Sequence, residues 1–234
     1  MLELRELVKR YAVGEADTVN AVDGVSLSVA AGELVALYGP SGSGKSTLLM
    51  LAAAVMRPDS GAVFVSGREV SALPARDAAQ YRMSELGYVR QSLDLIPGAS
   101  ALDNAALKLL GRPLGVREAR RRVEPLLVRL GLGERLEHRA EQLSMGERQR
   151  VMIARALSTD PALVLADEPT GSLDSERGRE VLALMGELCQ ERGIAVLLVT
   201  HDPEAAAYAD RVHTLRDGRL SDTSPVIGLE LAKP

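Results

Sequence analysis

The segment Gly39-Pro-Ser-Gly-Ser-Gly-Lys-Ser46 fits the spacing Gly-x-x-x-x-Gly-Lys-Ser and lies between an apolar run, Leu34–Tyr38, and a helix-like stretch, Lys45–Ala54. This order constrains the fold more than any other feature. A strand that feeds a glycine-rich turn at a helix N-terminus offers unpaired N–H groups and the positive end of a helix dipole to an anion. Gly39, Pro40, Ser41, Gly42, Ser43 and Gly44 give a backbone able to wrap phosphate oxygens, and Thr47 completes the binding set. Lys45 is placed to reach the β- and γ-phosphates, and the Ser46 hydroxyl to bind Mg²⁺.

A second apolar run, Ala162–Ala166, ends in Asp167-Glu168-Pro169, and a third, Ile194–Val199, follows. Such short continuous runs suit strands buried on both faces of a parallel sheet. Ligands of parallel sheets bind beyond the carboxyl ends of the strands, which places the acidic pair near the phosphate loop. Asp167 is the natural Mg²⁺ holder and Glu168 the group that orients and activates an attacking water.

Residues 1–30 read differently, as alternating strand segments Leu2 to Val8 and Val22 to Val29 broken by the polar turn Gly14–Thr18. Between the first apolar run and the second, at about 92–150, apolar residues recur at helical spacing: Val116, Ala119, Val123, Leu126, Leu127 and Leu130. This predicts a helical insertion in which Pro125 kinks or restarts the helix. Residues 221–234 read as a short tail.

The chain has 234 residues, 46% apolar and 26% charged, an ordinary globular mix that suits one domain. A net charge of −4 without a basic arm argues against a nucleic-acid partner. Cys189, the single cysteine, allows neither an internal disulfide nor a zinc site alone. It falls beside Val181, Met185 and Leu188 on one helical face, as a core residue would. No stretch approaches the roughly 20 apolar residues of a membrane span, and the N-terminus has no secretory core, so a cytosolic location is expected.

Ser144-x-x-Glu147 is a capping box that opens a helix and turns its free N–H groups outward, where a γ-phosphate fits. A second anion site besides the phosphate loop implies a head-to-tail partner.

From about Leu4 to Leu220 the chain resembles the ABC ATPases. Leu143-Ser-Met-Gly-Glu147 is similar to the family signature Leu-Ser-Gly-Gly-Gln, and 148–157 to the helix after it. Gln91, Ser172-Leu173-Asp174 and Thr200-His201-Asp202 fall in the family's order. The resemblance implies an α/β fold, a P-loop NTPase (RecA-like) core with a mostly parallel sheet, an N-terminal antiparallel β flank and an inserted α-helical subdomain. It implies two subunits sandwiching two ATPs, each between the phosphate loop of one and the signature (Ser144, Met145, Gly146, Glu147) of the other. By the same resemblance Tyr11 stacks on adenine, Gln91 senses Mg²⁺ and water and relays to a membrane partner, Asp174 acts across the dimer, and His201 contacts the γ-phosphate.

Three positions depart from the pattern. Met145 replaces a signature glycine, where a Cβ narrows the approach to phosphate or restricts φ. Glu147 replaces Gln, which a capping box tolerates. Arg90 stands where related sequences often carry an aromatic residue. The phosphate-loop segment through Leu49, Leu95-Ile-Pro97 with Asn104, and 166–174 resemble the lipoprotein-release, macrolide-export and cell-division group. That implies an ATPase dimer, peripheral on the cytoplasmic face of the inner membrane, driving an integral permease. The alternatives are a soluble ABC-type assembly ATPase without a permease, or a regulatory ATP-binding module with low hydrolysis.

Overall fold

The computed structural model describes residues 1–14, 17–171 and 173–221. Strands β1 (Leu2–Val13) and β2 (Asp17–Val29) form an antiparallel ribbon. β3 (Leu34–Tyr38) leads into α1 (Lys45–Ala52). β4 (Ser60–Val65), β5 (Arg68–Glu69), α2 (Ala75–Ser84) and β6 (Leu86–Val89) follow. Three helices, α3 (Ala101–Ala106), α4 (Val116–Arg129) and α5 (Met145–Leu157), precede β7 (Leu163–Asp167). α6 (Ser175–Arg192), β8 (Ala195–Thr200), α7 (Pro203–Ala206), β9 (Arg211–Arg216) and β10 (Arg219–Ser221) close the described chain.

The strands divide into two sheets, an antiparallel one in the order β2-β1-β4-β5 and another in the order β10-β9-β3-β8-β7-β6. In the second, β9, β3, β8, β7 and β6 run parallel, and only β10 is antiparallel to its neighbour.

The apolar runs are continuous because this sheet is covered on both faces. Leu34, Ala36, Val164, Ala166, Val196 and Leu198 face one core, shared with α3, α4, α5 and α6. Their alternating neighbours Val35, Leu37, Leu163, Leu165, Leu197 and Val199 face another, shared with α1 and the antiparallel sheet. Each fully buried Leu or Val contributes about 1.5–3 kcal/mol, so both faces of the sheet are held strongly and its register is fixed.

Three expectations change. The β1–β2 ribbon extends beyond Val8 and starts before Val22, reaching Val13 and Asp17. Its outer part is exposed, and register shifts between Leu4 and Val8, with Glu6 at φ 47°, break the alternation that marks a half-buried strand. Of the polar turn, Glu15 and Ala16 lie outside the described residues, as does all of the tail beyond Ser221.

The boundary drawn at 150 falls inside α5, which runs to Leu157 because Val151, Ile153, Ala154 and Leu157 are all buried in the core. Finally, α4 is a single helix through Pro125 and does not restart there. Ala119, Val123, Leu126 and Leu127 bury one face of it, and this burial outweighs the missing backbone donor. The neighbouring arginines are surface groups, Arg120 paired with Glu137 and Asp103, Arg121 and Arg122 with Glu118. Cys189 is buried among the residues predicted for it.

Pro125 leaves the Arg121 carbonyl without its helical donor. Substituting Pro125→Ala should therefore stabilise the protein by about 1–3 kcal/mol, read as a higher denaturant midpoint. An unchanged or lower midpoint would show that α4 gains nothing from the restored bond.

Candidate nucleotide-binding and active site

The phosphate loop joins the carboxyl end of β3 to α1 through close backbone packing. Gly39 N–H donates to the Thr200 carbonyl at 3.3 Å, and Gly218 N–H to the Ser43 carbonyl at 3.1 Å. Two glycines are required by space. A Cβ on Gly39 would stand 2.3 Å from the Leu215 carbonyl oxygen, and one on Gly44, at φ 104°, 1.9 Å from that of Ala21. α1 has no side-chain cap and no acidic residue in its first turn, so its N-terminal N–H groups are left for an anion. Lys45 Nζ donates to the carbonyls of Gly39 at 2.6 Å and Pro40 at 2.8 Å, which holds the ammonium inside the loop. Burial lowers its pKa, opposed by the charges of Glu168 and Asp167.

A cavity of about 480 Å³ opens at this loop. Tyr11, Ser41, Gly42, Gly44, Lys45, Ser46 and Thr47 line one part of it, and Gln91, Asp167, Glu168 and His201 another. The structure thus brings together residues from five separate stretches that the sequence analysis singled out. Gly39, Pro40 and Ser43 shape the loop without lining the cavity, whereas Ala21, which no motif marked, lines it. Tyr11 stands on the ribbon, and its hydroxyl donates to Met56 Sδ at 3.2 Å.

The acidic pair ends β7. Burial, followed by the neighbouring Glu168 charge, raises the Asp167 pKa, against the pull of Lys45 and Arg90. Glu168 has φ 47°, an uncommon conformation for a residue with a side chain, held by its N–H to the Val199 carbonyl at 2.9 Å and by Gly171 N–H to its own carbonyl at 3.1 Å. Its carboxylate is gripped on both oxygens. Oε1 accepts from His201 N–H at 2.9 Å and meets His201 Nδ1 at 2.7 Å, and Oε2 accepts from the Thr200 hydroxyl at 3.1 Å. Gln91 stands two residues beyond β6, with Arg90 beside it paired to Asp94 at 3.1 Å.

Ser46, Asp167 and Gln91 share the cavity wall, giving a hydroxyl, a carboxylate and an amide oxygen. Among the described residues no three His, Cys, Asp or Glu side chains form a cage for a metal. A donor set with one carboxylate suits Mg²⁺ held jointly with phosphate oxygens, and Asp167, its pKa raised by burial, is the kind of carboxylate a cation would relieve.

The signature lies apart from this cavity, at the start of α5. Ser144 N–H donates to Glu147 Oε2 at 2.8 Å and Glu147 N–H to Ser144 Oγ at 3.3 Å, the reciprocal bonds of the capping box. These bonds to Ser144 lower the Glu147 pKa despite some burial, and Arg135, paired at 3.1 Å, adds to the effect. Met145 is the first residue of the helix and is absent from the positive-φ positions, so its Cβ imposes no backbone restriction. The expected restriction of φ is therefore absent at Met145, and its side chain projects outward, 48% exposed. Gly146 is buried against the stem of Arg177. Asp174 caps α6 by accepting from Arg177 N–H at 3.0 Å, while Ser172 lies outside the described residues.

The profile of the family described as "ABC transporter" matches residues 22–171. The lipoprotein-releasing system ATP-binding protein LolD 2 of Caulobacter vibrioides is 46% identical over 220 residues, covering 94% of this chain and 96% of that protein. The macrolide export ATP-binding/permease protein MacB of Rhodopirellula baltica is 45% identical over 225 residues, 95% of this chain but 33% of its own length. Among solved structures, the dimeric post-hydrolysis state of the ATP-binding cassette MJ0796 bound to ADP and Pi superposes with a TM-score of 0.86 at 35% identity, covering 98% of this chain and 100% of that one. The fold, the cavity and these likenesses agree: this chain belongs to the ABC transporter family, as an ATP-binding and ATP-hydrolysing subunit.

Proposed function

We propose that the chain hydrolyses MgATP by in-line attack of water on the γ-phosphate and, as a head-to-tail dimer, drives an integral membrane permease of the lipoprotein-release or export kind. The observation that carries this reading is the single cavity lined by the phosphate loop, Asp167, Glu168, Gln91 and His201.

Each residue has a task that its surroundings suit. The loop N–H groups and Lys45 bind and orient the phosphates, so that much of the acceleration comes from positioning and charge neutralisation. Glu168 aligns the attacking water and takes its proton, its carboxylate held ready by its partners on β8 and the residue after it. When bound by Ser46, Asp167 and Gln91, Mg²⁺ supplies neutralisation of the charge that develops on the phosphate oxygens. His201, in contact with Glu168, would meet the γ-phosphate, and Tyr11, which lines the same cavity, would offer its ring to the adenine.

The outward signature supports the dimer, because the start of its helix does not line the chain's own cavity, and its first-turn N–H groups not used by the capping box would complement a phosphate held by a second copy. Asp174, at the start of α6, would act across that junction. The transporter reading is supported by the relatives' names, which include a lipoprotein-releasing ATP-binding protein and ATP-binding/permease proteins. No helix among the described residues is long and apolar enough to cross a membrane, which fits attachment at the cytoplasmic face through the permease.

The reading is tested first by Glu168→Gln, which should slow hydrolysis by about 10²–10⁴-fold while ATP binding is kept; unchanged turnover would sink the assignment. A second test uses Asp167. Its folded pKa is raised, so the ionised carboxylate opposes folding at neutral pH, and that penalty fades as pH falls through the raised value. Asp167→Asn should therefore raise the thermal midpoint of the nucleotide-free protein at neutral pH and abolish the further rise given by MgATP. A variant that melts lower, or that still gains from MgATP as the parent does, would contradict the metal role.

A further inference from the structure

We infer that Thr200 is a positioning residue for hydrolysis, whose buried hydroxyl fixes the Glu168 carboxylate while its carbonyl anchors the phosphate loop. The inference rests on Glu168 being the base, as proposed above, and adds the group that aims it.

Thr200 is the last residue of β8 and is 1% exposed. Its hydroxyl has two neighbours, the N–H of Asp202 at 3.0 Å and Glu168 Oε2 at 3.1 Å. A backbone N–H can only donate, so the hydroxyl must accept from Asp202. Its single proton is then directed to the carboxylate, which accepts. The two neighbours thus fix the rotor and give the hydrogen bond one sense.

The geometry makes Thr200 more than a packing residue. Glu168 leaves its strand in a left-handed conformation, and its side chain is 13% exposed, so few orientations of the carboxylate are shared by the strand end and the cavity. The Thr200 hydroxyl binds Oε2, and the main-chain N–H of His201 binds Oε1, so consecutive residues grip the two oxygens from one side. The Thr200 carbonyl, meanwhile, accepts from Gly39 N–H at 3.3 Å. One residue therefore sets the position of the base relative to the loop that holds the phosphate. A displacement of the order of 1 Å between such groups is enough to slow a reaction greatly.

Hydrolysis by Thr200→Val and Thr200→Ser decides the matter, each measured in the parent protein and in the Glu168→Gln background, with nucleotide affinity followed separately. Val keeps the branched shape without the hydroxyl, and Ser keeps the hydroxyl. Thr200→Val should lower kcat by about tenfold or more, the loss expected for a hydrogen bond to a charged group, with KM and nucleotide affinity unchanged. Thr200→Ser should restore kcat to within about twofold, and Thr200→Val should add less than about twofold in the Glu168→Gln background, because the two residues act as one unit.

Normal turnover of Thr200→Val beside a slow Glu168→Gln would overturn this inference alone. So would a Thr200→Ser variant as slow as Thr200→Val, or a loss confined to nucleotide affinity, either of which means a structural role. Full turnover by Glu168→Gln would remove the base assignment and this inference with it.

Discussion

The pairing of β8 with β3 on one side and β7 on the other is the constraint on which the site depends. Tyr38 is registered with Thr200, and Asp167 with Val199. Two backbone bonds extend these ladders past the strand ends, Gly39 N–H to the Thr200 carbonyl and Glu168 N–H to the Val199 carbonyl. A shift of one residue in either pairing would turn the buried side chains toward the wrong core and separate the loop from the carboxylates. Because both faces of the sheet are filled with apolar side chains, such a shift is opposed by the whole interior. The catalytic register is thus enforced by packing that has no chemistry of its own.

What could be read from the sequence follows from the range of the forces involved. The phosphate loop and the capping box are local arrangements of a few consecutive residues, and their bonds appear where spacing placed them. The buried strands were legible because burial on both faces removes alternation. Resemblance to the ABC ATPases supplied the roles of Gln91, His201 and the signature, and the cavity gathers the first two.

The misreadings share a cause. The outer β1–β2 ribbon has exposed side chains and a broken register, so no hydrophobic period marks it. Pro125 is a strong local signal for interruption, yet burial of one helix face overrides it. Met145 looked restrictive for the backbone as a replacement for glycine, but the first position of a helix needs no left-handed conformation. Thr200 was read only as the first residue of Thr200-His201-Asp202, since the task inferred for it comes from a hydroxyl whose partners lie 32 and 2 residues away along the chain.

The left-handed turn at Glu168 has a consequence for how two acidic functions share one cavity. Along an extended strand, adjacent side chains point to opposite faces, so Asp167 and Glu168 would ordinarily look into different cores. Reversing the backbone twist at the second residue cancels that alternation and lets both carboxylates line the same space. The proposed cation and water sites would then be separated by one peptide unit, a spacer of about 3.8 Å between Cα atoms that cannot stretch. Covalent geometry thus fixes how far apart the two side chains start, and the aim of the Glu168 carboxylate is left to its own hydrogen-bond partners, Thr200 and His201.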